Sequence, residues 1–489
     1  MPDRTVTAPQ VPEPPALPRT RAAATQRSRR TLYYGLIAAA ILVGVSVLFV
    51  VLTRMKPAYD AYGWMVWGRQ TLHWDLDTNG APSWKPLTFM FTLPYALVMS
   101  AQTWLWSVTS VIGALAGAVF GGRIAYRLTG PAPNRPYAPI VAAIFAGVGV
   151  LGIADYWHQI LIANSDPMVV AICLAAIDFH LAKRYRLAFA MVLLASFGRP
   201  EAWPFALGYA IWAWWRVPGM RVFAVAGVVS IPLIWFGVSA LTSKSWLRPG
   251  DLALDSVNVL HGNKFIGVTR RLLGLYEPPM QIAAGLAIAF AAVIRDKVWL
   301  TLAGLALVWL AIEIAFALHG WSAVTRYLFE PEAVLVVLAG AGLGRVLAAG
   351  SPTSVVARVG GVVVAAILIG SLIPTAVERT RGAHSEIVKR RQAAVQIDRL
   401  ETVIKRLGGP ARIRACGQPV TTVAWQSILA WEVGLNVGNI GFRPGRSIDK
   451  GNPIVLFKPH LGGWQVRPIH TLPANRAACA SLRTVTAFG

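Results

Sequence analysis

Residues 29–67 read RRTLYYGLIAAAILVGVSVLFVVLTRMKPAYDAYGWMVW, and the order of features in this stretch sets the fold class. Leu32 to Leu52 is an unbroken apolar run, long enough to span a bilayer at about 1.5 Å rise per residue. Arg19, Arg21, Arg27, Arg29 and Arg30 precede it, so the positive-inside rule puts the N-terminus in the cytoplasm. The run is longer than a signal-peptide core and no small-x-small cleavage site follows it, so it reads as a retained first helix. Residues 1–31 are rich in Pro, Ala, Thr and Arg without apolar periodicity, and read as a disordered cytoplasmic tail.

Working outward, composition agrees with a membrane protein. Of 489 residues, 55% are hydrophobic and 14% charged, where a soluble domain carries about a quarter charged. Many of the nineteen tryptophans sit beside arginine or at the ends of apolar runs, as in aromatic belts. The excess of 46 Lys+Arg over 22 Asp+Glu is scattered through short loops rather than gathered on one face, which excludes nucleic acid as a partner and suits helices oriented in lipid. Three cysteines without a CxxC pair indicate neither a zinc site nor a thioredoxin-like motif. Cys173 lies in an apolar run, whereas Cys416 and Cys479 lie in the polar C-terminal region, where an oxidising compartment lets them form a disulfide.

Further apolar runs occur near 103–122, 138–154, 167–182, 187–198, 202–215, 222–241, 279–294, 298–318, 327–344 and 359–375, giving about eleven spans within a transmembrane domain, 32–375. From an inside start, each expected cytoplasmic loop is basic, for example Arg123, Arg127 and Arg135, or Lys183, Arg184 and Arg186. Residues 187–215 read as a hairpin of two short helices broken at Pro200 and Pro204. Two outer loops follow, 54–102 and 242–278. An odd number of spans leaves 376–489 extracytoplasmic, where Ile397, Leu400, Ile404 and Leu407 recur at helical spacing, Gly408-Gly409 supplies a C-cap, and β-like runs stand at 411–415, 453–457 and 464–469. The class is therefore an all-α polytopic membrane protein with a small C-terminal α/β domain. Tyr62, Trp64, Met65, Val66 and Trp67 suit a helix lying in the interface plane.

Asp60 sits between the first span and that aromatic stretch, where partial desolvation suits a general base near neutral pH. Asp75 and Asp77 lie farther out and read as surface groups. The order of motifs resembles the GT-C superfamily, which includes protein O-mannosyltransferases, lipid A aminoarabinose transferases and the arabinofuranosyl- and mannosyltransferases of actinobacterial envelopes. The resemblance covers about residues 32–345. It is carried by Tyr59-Asp60, Trp84-Lys85-Pro86-Leu87, Asn164-Ser165-Asp166-Pro167, Arg199-Pro200-Glu201 and Arg326-Tyr327. The Lys-Pro-Leu segment departs from the more frequent Lys-Pro-Pro-Leu form.

The resemblance implies a glycosyltransferase, hexosyl or pentosyl, that draws its sugar from a polyprenyl-phosphate donor at the cell membrane. The acceptor would be an envelope glycan, glycolipid or protein. It places the catalytic base on Asp60, with a second carboxylate at Asp166 or Asp155. The departing lipid phosphate needs cations, and Lys85, Arg199 and Arg326 are the candidates. Two of them have a plainer reading: Arg199 can pair with Glu201, and Arg326 can snorkel at the interface. His261, Lys264, Arg270 and Arg271 can bind phosphate or face lipid head groups. A divalent cation is a candidate cofactor through Asp155, His158 and Asp166, a weak pattern. His319 reads as a loop residue near the site. The lack of a Gly-rich phosphate loop argues against an ATPase or nucleotide-sugar enzyme. Two other classes stay open, a transporter or flippase of envelope precursors and a non-catalytic assembly scaffold. Transporters tend to show paired repeats and midplane charges, and neither is evident here.

Overall fold

The computed structural model describes residues 21–80, 82–254, 259–349, 355–460, 463–480, 482 and 484–485. Most of the disordered tail expected at 1–31 lies outside them, but the first helix already begins at Arg21, ahead of the expected start at Leu32. The chain divides into two units, residues 1–45 and 46–489. In the first, Leu36, Ile37 and Ile41 are exposed, as lipid-facing side chains of a span are.

In the second unit every apolar run forms a helix. Six helices among the described residues are long and apolar enough to cross a membrane: Tyr33–Thr53, Met99–Thr129, Pro218–Thr242, Lys297–Leu318, Thr325–Ala348 and Val359–Arg406. Tyr137–Leu151, Tyr185–Gly198 and Pro278–Val293 are shorter apolar helices. The 187–215 stretch forms two helices, Tyr185–Gly198 and Trp203–Arg216, separated at Arg199 and Pro200. Arg199 has an extended backbone, as the residue before a proline prefers, so the helix must stop there.

The boundary expected at 376 is not a break. A single helix runs from Val355 to Arg406 and carries Ile397, Leu400 and Ile404 of the apolar stripe, which are buried together with Leu407 just beyond its end. Gly408, at φ 91°, ends it. A four-stranded sheet packs beyond it in the order β1 (Gln418–Val420), β2 (Ile454–His460), β3 (Gly463–Ile469), β4 (Thr484–Val485). β1 and β2 are parallel, and β2 and β3 form an antiparallel pair with Phe457 opposite Val466. Trp464 Nε1 donates to the Gln396 carbonyl (2.9 Å), tying the sheet to the long helix. The run at 411–415 is not a strand: it lies in the helix Gly409–Cys416, started by Pro410, with Ile413 turned inward. Five residues of alternating polarity with a single apolar centre fit one helical turn as well as a strand.

The helix Tyr59–Leu72 is likewise not interfacial. Tyr62, Trp64, Met65, Val66 and Trp67 are each at most 1% exposed. This helix is covered by Pro86–Ala96 on one side and by Gln426–Val433 of the C-terminal region on another. A Cβ at Gly68 would collide with the carbonyl of Thr92, so glycine sets how closely this helix and Pro86–Ala96 approach. Arg69 reaches Trp431, donating to its carbonyl at 3.0 Å and lying 4.8 Å from its ring centre.

Candidate functional site

The five motifs converge although nearly 270 residues of chain separate the first from the last. Asp60 lies in the first turn of Tyr59–Leu72, where a carboxylate suits the positive helix end. Pro86 opens the next helix, and holds Lys85 in an extended conformation just before it. The Lys85 ammonium lies 5.6 Å from the Trp64 ring centre. Burial pushes the Lys85 amine below the ordinary lysine range, against the pull of Asp166, with Arg199 and Arg326 adding to the depression and Asp60 opposing it.

Asp166 opens the helix Asp166–Leu181 and is fully buried. The turn before it is held by a relay of side chains. Asp155, in a left-handed conformation (φ 65°), accepts from Gln159 at 2.8 Å; Gln159 accepts from Asn164, and Asn164 accepts from the Ser165 amide, each at 2.8 Å. Asp155 thus props the Asp166 turn rather than joining it as a second carboxylate.

Arg199 and Arg326 meet at Asp166. Arg199 Nη2 is paired with Asp166 Oδ1, while Nη1 stands 3.8 Å from Glu201 and Nε 4.0 Å from Glu330. Its pairing with Glu201 is therefore looser than that with Asp166. Arg326 Nη2 lies 3.4 Å from Asp60 Oδ2, and its Nε lies 3.4 Å from Asp166 Oδ2. Arg326 accordingly does not snorkel to a bilayer surface; it bridges two aspartates. Both guanidiniums lie over Tyr327, at 4.0 and 5.6 Å from its ring centre. Neither Arg199 Nε nor Arg326 Nε makes a hydrogen bond with any described residue, although both are buried.

These groups border a cavity of about 1620 Å³. Asp60, Lys85, Arg199, Glu201 and Arg326 stand on one wall, and Leu207, Val228, Ile231, Trp235 and Phe236 form an apolar wing. The C-terminal region roofs it with Val423, Gln426, Gly438, Phe442 and Arg443. Tyr59 joins roof to site, its hydroxyl donating to Gln426 Oε1 at 3.3 Å.

Other expected residues lie elsewhere. His261 is exposed, and neither it nor Lys264 lines the cavity; Lys264 donates to the Leu260 carbonyl. Arg271 holds the carbonyls of Ser322 and Ala323. His319 is exposed and does not line the cavity. His158 faces Glu386 at 2.9 Å, and among the described residues no group of three or more His, Cys, Asp or Glu is placed to hold a metal ion. Asp77 is more than a surface group, since its carboxylate accepts from the Asn79 amide and side chain at 2.8 and 2.7 Å. Cys416 and Cys479 form a disulfide.

Four buried carboxylates escaped the sequence reading, one of them Asp178 near the far end of the helix that Asp166 opens. Glu313 and Glu330 are 1% and 3% exposed and stand around Arg199, and Glu332, fully buried, accepts from Gln281 at 3.1 Å. Their signal was available, because an ionisable residue inside an apolar helix is rarely idle.

No family model and no curated protein matches the chain. A solved structure does: ArnT from Cupriavidus metallidurans bound to undecaprenyl phosphate, with TM-score 0.51 and 14% identity over 94% of this chain and 96% of that one. The apo state of that protein gives 0.48 and 13% over 93% and 95%. The likeness is one of fold. It gives this multi-pass helical body and its small C-terminal sheet a GT-C-like architecture.

Proposed function

We propose that the chain is a glycosyltransferase that moves a sugar from a polyprenyl-phosphate donor to an acceptor outside the cytoplasmic membrane. The observation that carries this reading is the meeting of Asp60 and Arg326, 3.4 Å apart, on the wall of a cavity that also has an apolar wing. The ArnT structure of similar fold holds undecaprenyl phosphate, and the wing here offers an isoprenoid chain an apolar surface.

In this reading the acceptor oxygen bonds to the anomeric carbon as the bond from that carbon to the phosphate oxygen breaks. Asp60 takes the hydroxyl proton. The leaving phosphate gains charge, which Arg326, Arg199 and Lys85 stabilise. Both arginines line the cavity, where a guanidinium fork can take a phosphate oxygen. Asp166 keeps the two guanidiniums together. The N-terminus is cytoplasmic, residues 376–489 are extracytoplasmic, and the acceptor is an envelope glycan, glycolipid or protein.

Transfer of label from a polyprenyl-phosphate sugar to an envelope glycan by the purified protein tests the reading. A flippase or a scaffold forms no such product, and a purified, folded protein that releases no labelled glycan or free polyprenyl phosphate rejects it. Mass spectrometry of envelope glycans with and without the protein then identifies sugar and acceptor.

A further inference from the structure

The cavity wall carries more positive charge than the donor phosphate needs, and the excess lies apart from the Asp60 cluster. Lining residues include six cations, Lys85, Arg199, Lys244, Arg248, Arg326 and Arg443, against two carboxylates, Asp60 and Glu201. Arg199 and Arg326 are in ion pairs, whereas among the described residues Lys244, Arg248 and Arg443 are in none. Lys244 and Arg443 are exposed and Arg248 half-buried, as suits a rim.

This rim is built from three separate parts of the chain, fastened through residues 77–80. Asn79 Oδ1 accepts from the Lys244 amide at 2.8 Å, and the Asn79 carbonyl accepts from Arg248 Nε at 2.9 Å. Asp77 fixes Asn79 from behind. On the other side a Cβ at Gly80 would come within 2.6 Å of the Gly438 nitrogen, so only glycine lets the roof close this far. Phe442 follows on that roof segment, 39% exposed, with the Arg443 guanidinium 5.3 Å from its ring centre. An aromatic face beside several cations is a surface for a sugar ring that carries an anion.

We propose that this rim is the acceptor subsite, that it selects an acceptor bearing a phosphate or carboxylate, and that the C-terminal region supplies part of it through Phe442 and Arg443. The proposal rests on the glycosyl-transfer reading for the word acceptor, but the anion preference can be measured without it.

The test is binding to the purified full chain in phosphatidylcholine nanodiscs. The soluble probes are methyl glucoside 6-phosphate, methyl glucuronide and uncharged methyl glucoside, and undecaprenyl phosphate probes the inner cluster. The phosphate or carboxylate probe is expected to bind at least about tenfold more tightly than the neutral one, less so at high salt because the rim is exposed. K244Q/R248Q/R443Q is expected to remove the preference and leave undecaprenyl phosphate binding within about twofold, which also reports that the variant is folded. R443Q alone, which disturbs no hydrogen bond of the rim, should weaken anion binding about threefold. Equal binding of the three soluble probes to the wild type, or a preference that survives in the triple variant, overturns the proposal. If undecaprenyl phosphate fails to bind the wild type, the glycosyl-transfer reading falls instead, and the anion preference is judged separately.

Discussion

The helix Asp166–Leu181 buries an aspartate near each end, and both Asp166 and Asp178 face two arginines. The partners of Asp178 are Arg123 and Arg127, at 2.9 and 3.0 Å, from successive turns of the helix Gln102–Thr129. One helix therefore presents both cations ready-made, and the trio ties two neighbours together. The partners of Asp166 come from two loops far apart in sequence, one before the helix Trp203–Arg216 and one before the helix Phe329–Ala348. They meet only after folding and border a cavity. The same residue types thus make a fastening at one end and a candidate site at the other; what differs is that one pair of cations comes from a single helix, and the other from two loops beside a cavity that Asp60 also lines.

That contrast predicts opposite outcomes for two isosteric changes. Asp60→Asn, at the cavity end, removes the proton acceptor while keeping the side chain's size. Turnover should fall by about 10²–10⁴-fold with the thermal midpoint and undecaprenyl phosphate binding retained. Asp178→Asn, at the fastening, should cost on the order of 1 kcal/mol of stability by removing the charge that two partly exposed guanidiniums pair with, with turnover per folded molecule unchanged. An Asp60→Asn protein with near-normal turnover would falsify the role of the base, and an active-site loss in Asp178→Asn would erase the distinction between the two ends. Asp75→Asn, on an exposed residue, is the neutral control; Asp77 is unsuitable because it holds Asn79.

The next effect in size concerns Arg326. Its replacement by Ala removes a charge-assisted contact to phosphate and should weaken undecaprenyl phosphate binding by about 10- to 100-fold, with Lys restoring part of it, since an ammonium lacks the planar fork. Unchanged affinity in both variants would leave Arg326 as a bridge between Asp60 and Asp166 and nothing more.

Local signals carried much of this into the sequence. The Arg199-Pro200 break, the Pro86 and Pro167 helix starts and the Gly408 stop are backbone effects that act over a few residues, so they are legible without the fold. Arg199, Arg326 and Asp166 stood out through the order of motifs that resembles the GT-C superfamily. Placement was less legible wherever one region covers another. The aromatic group at 62–67 reads as interfacial because nothing in those residues announces that Gln426–Val433 packs over them. The rim cations on either side of residues 77–80 were unreadable for the same reason, since Lys244 and Arg443 come together only through Asn79, Gly80 and Gly438.

The smallest effect separates Lys85 from the arginines beside it, and it depends on pH. A buried amine that gives up its proton below the ordinary lysine range is charged at low pH and neutral above that depressed value. A bound phosphate favours the charged form, so the lysine titrates higher in the complex than in the free site. Between those two values binding takes up one proton, and affinity should fall by up to about tenfold per pH unit as pH rises, levelling once both forms are neutral. The lipid phosphate itself loses its second proton near pH 6, which acts in the opposite direction and strengthens binding as pH rises. Lys85→Arg keeps the charge at every accessible pH, so it should remove the fall. Titrating undecaprenyl phosphate into both proteins from pH 7 to 10 measures it. Parallel curves would mean that Lys85 does not touch the phosphate, and the donor cations would then reduce to the two arginines gathered by Asp166.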